Sequence, residues 1–182
     1  MEVVIERVHD SYHFGSAAEL TGQHLDQFIQ FFNVPTTVPD SAMGGRGAVM
    51  KTYLKGVGSV VIKYYQRGGF LRHLVNSTYV KWGKTRSQIE YEILQTMADS
   101  GVNVPEPVAY AWQGKLFYRA WLVLKEIKEQ QTLAELSCVD EGRARTIMEK
   151  VVSQVALLIE NNLHHVDLHP GNVLVDSSDR VY

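Results

Sequence analysis

Two polar side chains five residues apart, Asp167 and Asn172, carry the clearest chemistry in this 182-residue chain. They sit in the stretch His164-His165-Val166-Asp167-Leu168-His169-Pro170-Gly171-Asn172-Val173-Leu174-Val175-Asp176. An aspartate carboxylate can accept or orient the proton of an attacking hydroxyl. An asparagine side-chain oxygen can ligate Mg²⁺ beside phosphates. The pair therefore suits phosphoryl transfer to an alcohol. The plainer alternative is a polar turn between a helix and a strand. The many features that match at once weigh against it.

The elements around the loop fit this chemistry. An apolar, helix-like run over 151–163 enters it, and a β-branched run over 173–175 leaves it. The order H-x-D-L-x-x-x-N is that of a catalytic loop in protein-kinase-like phosphotransferases. His165 is expected to brace the loop rather than transfer protons. Such a site needs a cation for the phosphates, and Val60-Val61-Ile62-Lys63 supplies a candidate on a β-prone run. One hairpin earlier, Gly44, Gly45, Arg46 and Gly47 read as a glycine-rich loop. Its backbone N–H groups could close over phosphate oxygens with no Cβ in the way. Alone, G-G-R-G is an ordinary turn composition; its weight comes from its position ahead of Lys63.

A lysine on a strand needs an acidic partner. Residues 85–100 read as a helix closed by Gly101 and offer Glu90 and Glu92. Glu90 shares a helical stripe with Ile93, Leu94 and Met97, so it is expected to turn inward to Lys63. Glu92 lies about 200° away and is expected to face outward.

In chain order, residues 2–8 read as a strand and 22–32 as a helix with Leu25, Phe28, Ile29 and Phe32 on one face. Residues 33–41 read as a loop, 70–75 as a short helix, and 108–113 with 115–124 as a hairpin. The last strand runs into a hinge near residue 127, where backbone groups of Glu126 and Ile127 would meet an adenine edge. Residues 132–136 read as a short helix. Asp140 is expected to cap a long helix reaching about 163, with Ile147, Val151, Val155, Leu158 and Ile159 inward. The fold class is α+β. It is a protein-kinase-like bilobal arrangement with an antiparallel-sheet N-lobe and one main helix over 1–127. An incomplete, mostly helical C-lobe over 128–182 follows.

Composition supports a globular chain, with 45% apolar residues and no apolar run near the ~20 residues of a membrane span. The lone Cys138 excludes an internal disulfide framework, and a reducing cytoplasm is the expected setting. The net charge of −2 hides an asymmetry. Residues 41–89 hold nine Lys and Arg and no Asp or Glu, leaving −11 for the rest. Such a block points to an anionic partner or to a solvated basic face. Basic and aromatic residues interleave over 79–84. Nucleic acid is nevertheless not the expected partner, because Lys63 and the loop give the charge a nucleotide or anionic acceptor to serve.

Taken together, Gly44 to Val49, the run Val60-Val61-Ile62-Lys63-Tyr64-Tyr65-Gln66-Arg67-Gly68-Gly69, and Thr85-Arg86 with Glu90 resemble the bacterial Kdo kinase/lipopolysaccharide core kinase family. Val104-Pro105-Glu106-Pro107 adds to the likeness. The resemblance covers about residues 40–182. It implies ATP- and Mg²⁺-dependent phosphorylation of a hydroxyl on a Kdo or heptose of the lipopolysaccharide inner core. It also implies work in the cytoplasm, at the cytoplasmic face of the inner membrane, on an anionic, lipid-linked sugar acceptor. The loop over 165–172 is also similar to that of aminoglycoside and choline phosphotransferases, which act on small molecules.

One motif is not found. A second Mg²⁺-binding aspartate, in an Asp-Phe-Gly or Asp-Phe-Asp triplet, is expected shortly after the catalytic loop. Here Asp176 and Asp179 read as turn residues, and the sequence is expected to be a fragment of a longer protein. A non-catalytic nucleotide-binding domain is the alternative that this departure raises.

Overall fold

The computed structural model describes residues 3–34, 49–65, 79–80, 83–164 and 167–182. The glycine-rich loop at Gly44, Gly45, Arg46 and Gly47, the short helix expected over 70–75, and His165 lie outside the described residues. The chain divides into two compact units. One comprises Met1–Ile93 with Pro107–Glu126, the other Leu94–Glu106 with Ile127–Tyr182.

The first unit is an antiparallel sheet. Strands β1 (Ile5–His9) and β2 (Tyr12–Ser16) form a hairpin. Its turn residues Asp10 and Ser11 take φ of 46° and 67°. Two successive left-handed residues give a tight turn whose twist matches its strands. Strand β2 pairs with β6 (Pro107–Gly114), and β6 with β7 (Phe117–Lys125). Strand β7 pairs with β4 (Gly58–Tyr64), and β4 with β3 (Val49–Leu54). The short β5 (Tyr79–Val80) also joins β7. The β6–β7 turn depends on Gly114, whose φ is +118° and where a Cβ would collide with the Phe117 carbonyl oxygen.

Helix α1 (Gly22–Phe32) forms where the apolar spacing predicts it. Thr21 caps it, accepting from the His24 N–H at 3.3 Å. Leu25, Phe28 and Phe32 are buried among Tyr12, Phe14, Leu54, Val60, Ile62, Trp121 and Val123. Phe32 stacks on Trp121 with ring centroids 4.4 Å apart. Residues 3–34 thus build part of this unit's sheet and core.

Because side chains alternate along a strand, Lys63 stands on the face opposite this aromatic core. It is in register with Leu122 on β7, and Leu122 with Tyr110 on β6. Helix α2 (Arg86–Asp99) meets the same face. Buried Ser87 donates to the Ala111 carbonyl at 3.1 Å, and the rings of Tyr91 and Tyr110 meet edge to face at 5.3 Å. The Tyr91 hydroxyl accepts from the Ala17 N–H at 2.8 Å. This corrects the expected stripe. The buried side chains are Ser87 and Tyr91, while Ile93 is 44% exposed. The helix docks through polar atoms that find strand partners, so counting apolar residues picks the wrong face.

In the second unit, Gly101 (φ 81°) ends α2, and the Val102 N–H donates to the Met97 carbonyl at 3.0 Å. Strand β8 (Gln131–Thr132) pairs with β9 (Leu174–Val175). Thr132 and Glu135 cap α3 (Leu133–Val139) reciprocally. Asp140 caps α4 (Glu141–Glu160), accepting from the Arg143 N–H at 2.9 Å. Leu133, Leu136, Ile147, Val151, Val173, Val175 and Val181 form the core. Leu158 is buried but Ile159 is 67% exposed, against expectation. Neighbours on a helix are 100° apart, and here only the first of the two turns inward.

Candidate active site

Strand β4 delivers Lys63 and helix α2 delivers Glu90 to one point in the first unit. The Lys63 ammonium lies 2.7 Å from Glu90 Oε1, with both side chains about a third exposed. The other Glu90 oxygen accepts from the Tyr65 hydroxyl at 2.5 Å. Glu92 instead binds Lys84 at 2.7 Å. The choice of Glu90 over Glu92 as partner therefore agrees with the geometry. Tyr65 lies in the run that carries the family resemblance but was given no role there, although a residue two positions after Lys63, just past the end of β4, continues its face.

The basic block is less bare when folded than when read linearly. Lys51, Lys63 and Lys84 meet Glu126, Glu90 and Glu92, acids that lie outside the block in sequence. At the expected hinge, the Glu126 N–H donates to the Ser59 carbonyl at 3.0 Å, and its carboxylate holds Lys51 at 2.7 Å. The N–H of Glu126 is thereby taken by β4. Elsewhere in the first unit, burial and then the hydrogen bond from Tyr110 to Glu6 (2.7 Å) push the Tyr110 phenol well above its ordinary pKa.

In the second unit, the loop over 167–172 is held through its C-terminal half. The Ala134 N–H donates to the Pro170 carbonyl (3.1 Å), the Leu133 N–H to the Val173 carbonyl (2.9 Å), and the Asn172 N–H to the His169 carbonyl (2.8 Å). The N-terminus of α3 thus grips the loop through its otherwise unpaired N–H groups. Inside the loop, Asn172 Nδ2 donates to the Asp167 carbonyl at 2.9 Å and to Asp167 Oδ2 at 3.2 Å. Bonded this way, the amide leaves Oδ1, a hard neutral oxygen, as its remaining acceptor. That donor suits Mg²⁺, which prefers oxygen ligands and keeps several of its waters. His169 Nδ1 accepts from the Gly171 N–H at 3.1 Å, a contact that folds the ring back on its own loop.

Asp176 takes no such role. Its Oδ1 accepts from the N–H groups of Ser178 (2.8 Å) and Arg180 (2.9 Å), closing the turn to β9. Burial tends to raise its pKa. The Arg180 and Ser178 N–H groups, the Tyr182 hydroxyl and the Arg180 guanidinium outweigh that and hold it below the usual carboxylate range. Asp179 pairs with Arg143 at 2.6 Å. Both are structural turn residues. Elsewhere among the described residues, His9, Asp10 and Asp26 bring potential ligand atoms within 4.8 Å of one another, and His9 and Asp26 are bonded to each other at 2.6 Å.

Residues 30–181 match the model of the lipopolysaccharide kinase (Kdo/WaaP) family. The chain belongs to this family. Among relatives of the lipopolysaccharide kinase family, a 3-deoxy-D-manno-octulosonic acid kinase of Vibrio vulnificus (strain CMCP6) is 30% identical over 156 residues, which are 84% of this chain and 65% of the relative. One from Photobacterium profundum is 35% identical over 133 residues, 68% of this chain and 53% of the relative. One from Xylella fastidiosa (strain 9a5c) is 28% identical over 143 residues, 76% of this chain and 56% of the relative. The chain therefore spans less than two thirds of the length of each of these relatives. The family model takes in Lys63, Glu90, Asp167 and Asn172, so the candidate residues of each unit fall within the matched region.

Proposed function

We propose that this chain carries the phosphotransferase core of a lipopolysaccharide kinase, moving phosphate from ATP to a sugar hydroxyl of the inner core. Kdo is the favoured acceptor, because the relatives described above are named 3-deoxy-D-manno-octulosonic acid kinases. A heptose hydroxyl is the alternative. We read the two compact units as the two lobes. The observation that carries the reading is the Asn172 amide: its nitrogen is spent on Asp167, and its oxygen is left for a cation.

The roles follow from chemistry. Asp167 accepts and orients the proton of the acceptor hydroxyl, and its carboxylate is 79% exposed, open to a sugar. Asn172 is the residue here that would hold Mg²⁺, which when bound neutralises charge on the phosphates. Lys63, positioned by Glu90, pairs with phosphate oxygens. Gly44, Gly45, Arg46 and Gly47 would cover them, and the segment at Glu126 and Ile127 would meet the adenine. Positioning and charge neutralisation then supply most of the rate. No described helix is long and apolar enough to cross a membrane. Contact with the cytoplasmic face of the inner membrane, where the lipid-linked acceptor would lie, is part of the proposal.

The test is ATP turnover by the chain with a Kdo-bearing lipid acceptor. Asp167→Ala is expected to lower kcat on the order of 10²–10⁴-fold. An unaltered rate would remove Asp167 from the chemistry. Mg²⁺-ATP binding with no turnover in the unsubstituted chain would favour a non-catalytic nucleotide-binding domain.

A further inference from the structure

We infer that Tyr65 is a positioning residue for the nucleotide site, fixing Glu90 so that Lys63 is held where phosphates would meet it. The inference rests on the phosphotransferase reading and adds a residue to it.

A carboxylate that orients a lysine has two oxygens, and its plane is fixed only when both are bound. In this chain Oε1 of Glu90 takes the Lys63 ammonium at 2.7 Å, and Oε2 takes the Tyr65 hydroxyl at 2.5 Å. The donor is itself rigid. Tyr65 is 3% exposed, and its N–H is tied to the Ala120 carbonyl at 3.1 Å, which locks the end of β4 to β7. Two cations flank its ring, the Lys63 ammonium 5.3 Å and the Arg86 guanidinium 5.4 Å from the centroid. Both contacts fall within cation–π range.

This arrangement matters because Glu90 and Lys63 are each about a third exposed. An ion pair with that much access to water holds its geometry weakly on its own. A buried phenol on the second oxygen supplies what the pair lacks, a fixed point on the rigid sheet. A tyrosine ring has only two rotatable side-chain bonds, so little order is lost in holding it there. The Lys63 ammonium spends one of its three protons on Glu90 and keeps two for phosphate oxygens. If Glu90 swings, those two lose their direction.

The test is a double-mutant cycle on the full chain, read by Mg²⁺-ATP affinity with a fluorescent ATP analogue and, without nucleotide, by urea unfolding. Tyr65→Phe removes only the hydroxyl. It is expected to weaken Mg²⁺-ATP binding about 3- to 30-fold, less than the full worth of a hydrogen bond to a charged group because the effect reaches the nucleotide only through Glu90 and Lys63. In a Glu90→Ala background the same change is expected to alter affinity less than about 2-fold, because its partner is gone. The unfolding data should show the same coupling between the two positions. Equal losses in both backgrounds would mean that Tyr65 acts through packing, and no loss in either would mean that it does not act at all; each result overturns the inference. Lys63→Ala separates this from the underlying reading. If Lys63→Ala leaves Mg²⁺-ATP affinity unchanged, or the unsubstituted chain binds none, the phosphotransferase reading fails and takes the inference with it.

Discussion

Replacing Asn172 by Asp isolates what the amide nitrogen does. The side chain keeps its shape and an oxygen for a cation. It loses the Nδ2 donor and gains a negative charge. Two hydrogen bonds go, one to the Asp167 carbonyl at 2.9 Å and one to its carboxylate at 3.2 Å. Both groups are exposed, so the low end of the scale applies, about 1 kcal/mol for each bond. Two carboxylates about that far apart in a water-like medium add about 1 kcal/mol of repulsion. The total of about 3 kcal/mol corresponds to a loss of roughly 100-fold in kcat/KM. Repulsion also raises the pKa of one of the two carboxyls. Below that pKa one of them is protonated and can donate to the other, so the variant should recover relative to the parent as pH falls toward about 5. The assay is ATP turnover from about pH 5 to 8, with Asn172→Ala as the variant that loses donor and acceptor together. The same lost contacts should also lower stability in urea unfolding, by at most about 3 kcal/mol. An Asn172→Asp variant that turns over within a factor of three of the parent across this range would refute the clamp.

Two further outcomes test the first unit. Trp121 is 1% exposed and stacks on Phe32, so Trp121→Ala should cost about 3–5 kcal/mol in urea unfolding; a cost below about 1 kcal/mol would mean that this cluster is not the core. Tyr110 has a folded-state pKa above its unfolded value. Its contribution to stability is therefore fully present below about pH 10 and is lost as pH rises further, because the unfolded chain ionises first. Tyr110→Phe should flatten the alkaline side of a stability–pH curve, and an unchanged curve would show that this phenol does not control it.

Much of the local structure was legible in the sequence because it depends on neighbours in the chain. Leu25, Phe28 and Phe32 recur at helical spacing, and α1 follows. Asp140 caps α4 because an N-cap needs only a side chain that reaches the third N–H beyond it. Asp167 and Asn172 come close because the loop between them is short. Where chain-local rules gave out, the readings slipped. Ile93 and Ile159 fit apolar stripes and are exposed, since a stripe counts residues and cannot tell which face meets a partner.

The sequence determined the family and singled out four candidate side chains: Lys63, Glu90, Asp167 and Asn172. Residue type and spacing carry that information by themselves. Tertiary structure decided how their atoms are used. Oε2 of Glu90 goes to Tyr65, Nδ2 of Asn172 to Asp167, and the acid-free stretch is partly neutralised by Glu90, Glu92 and Glu126. These assignments join residues that folding brings together from separate elements, or depend on which way a side chain rotates. A hydrogen bond is set by distance and direction in space, and a linear order of residues contains neither.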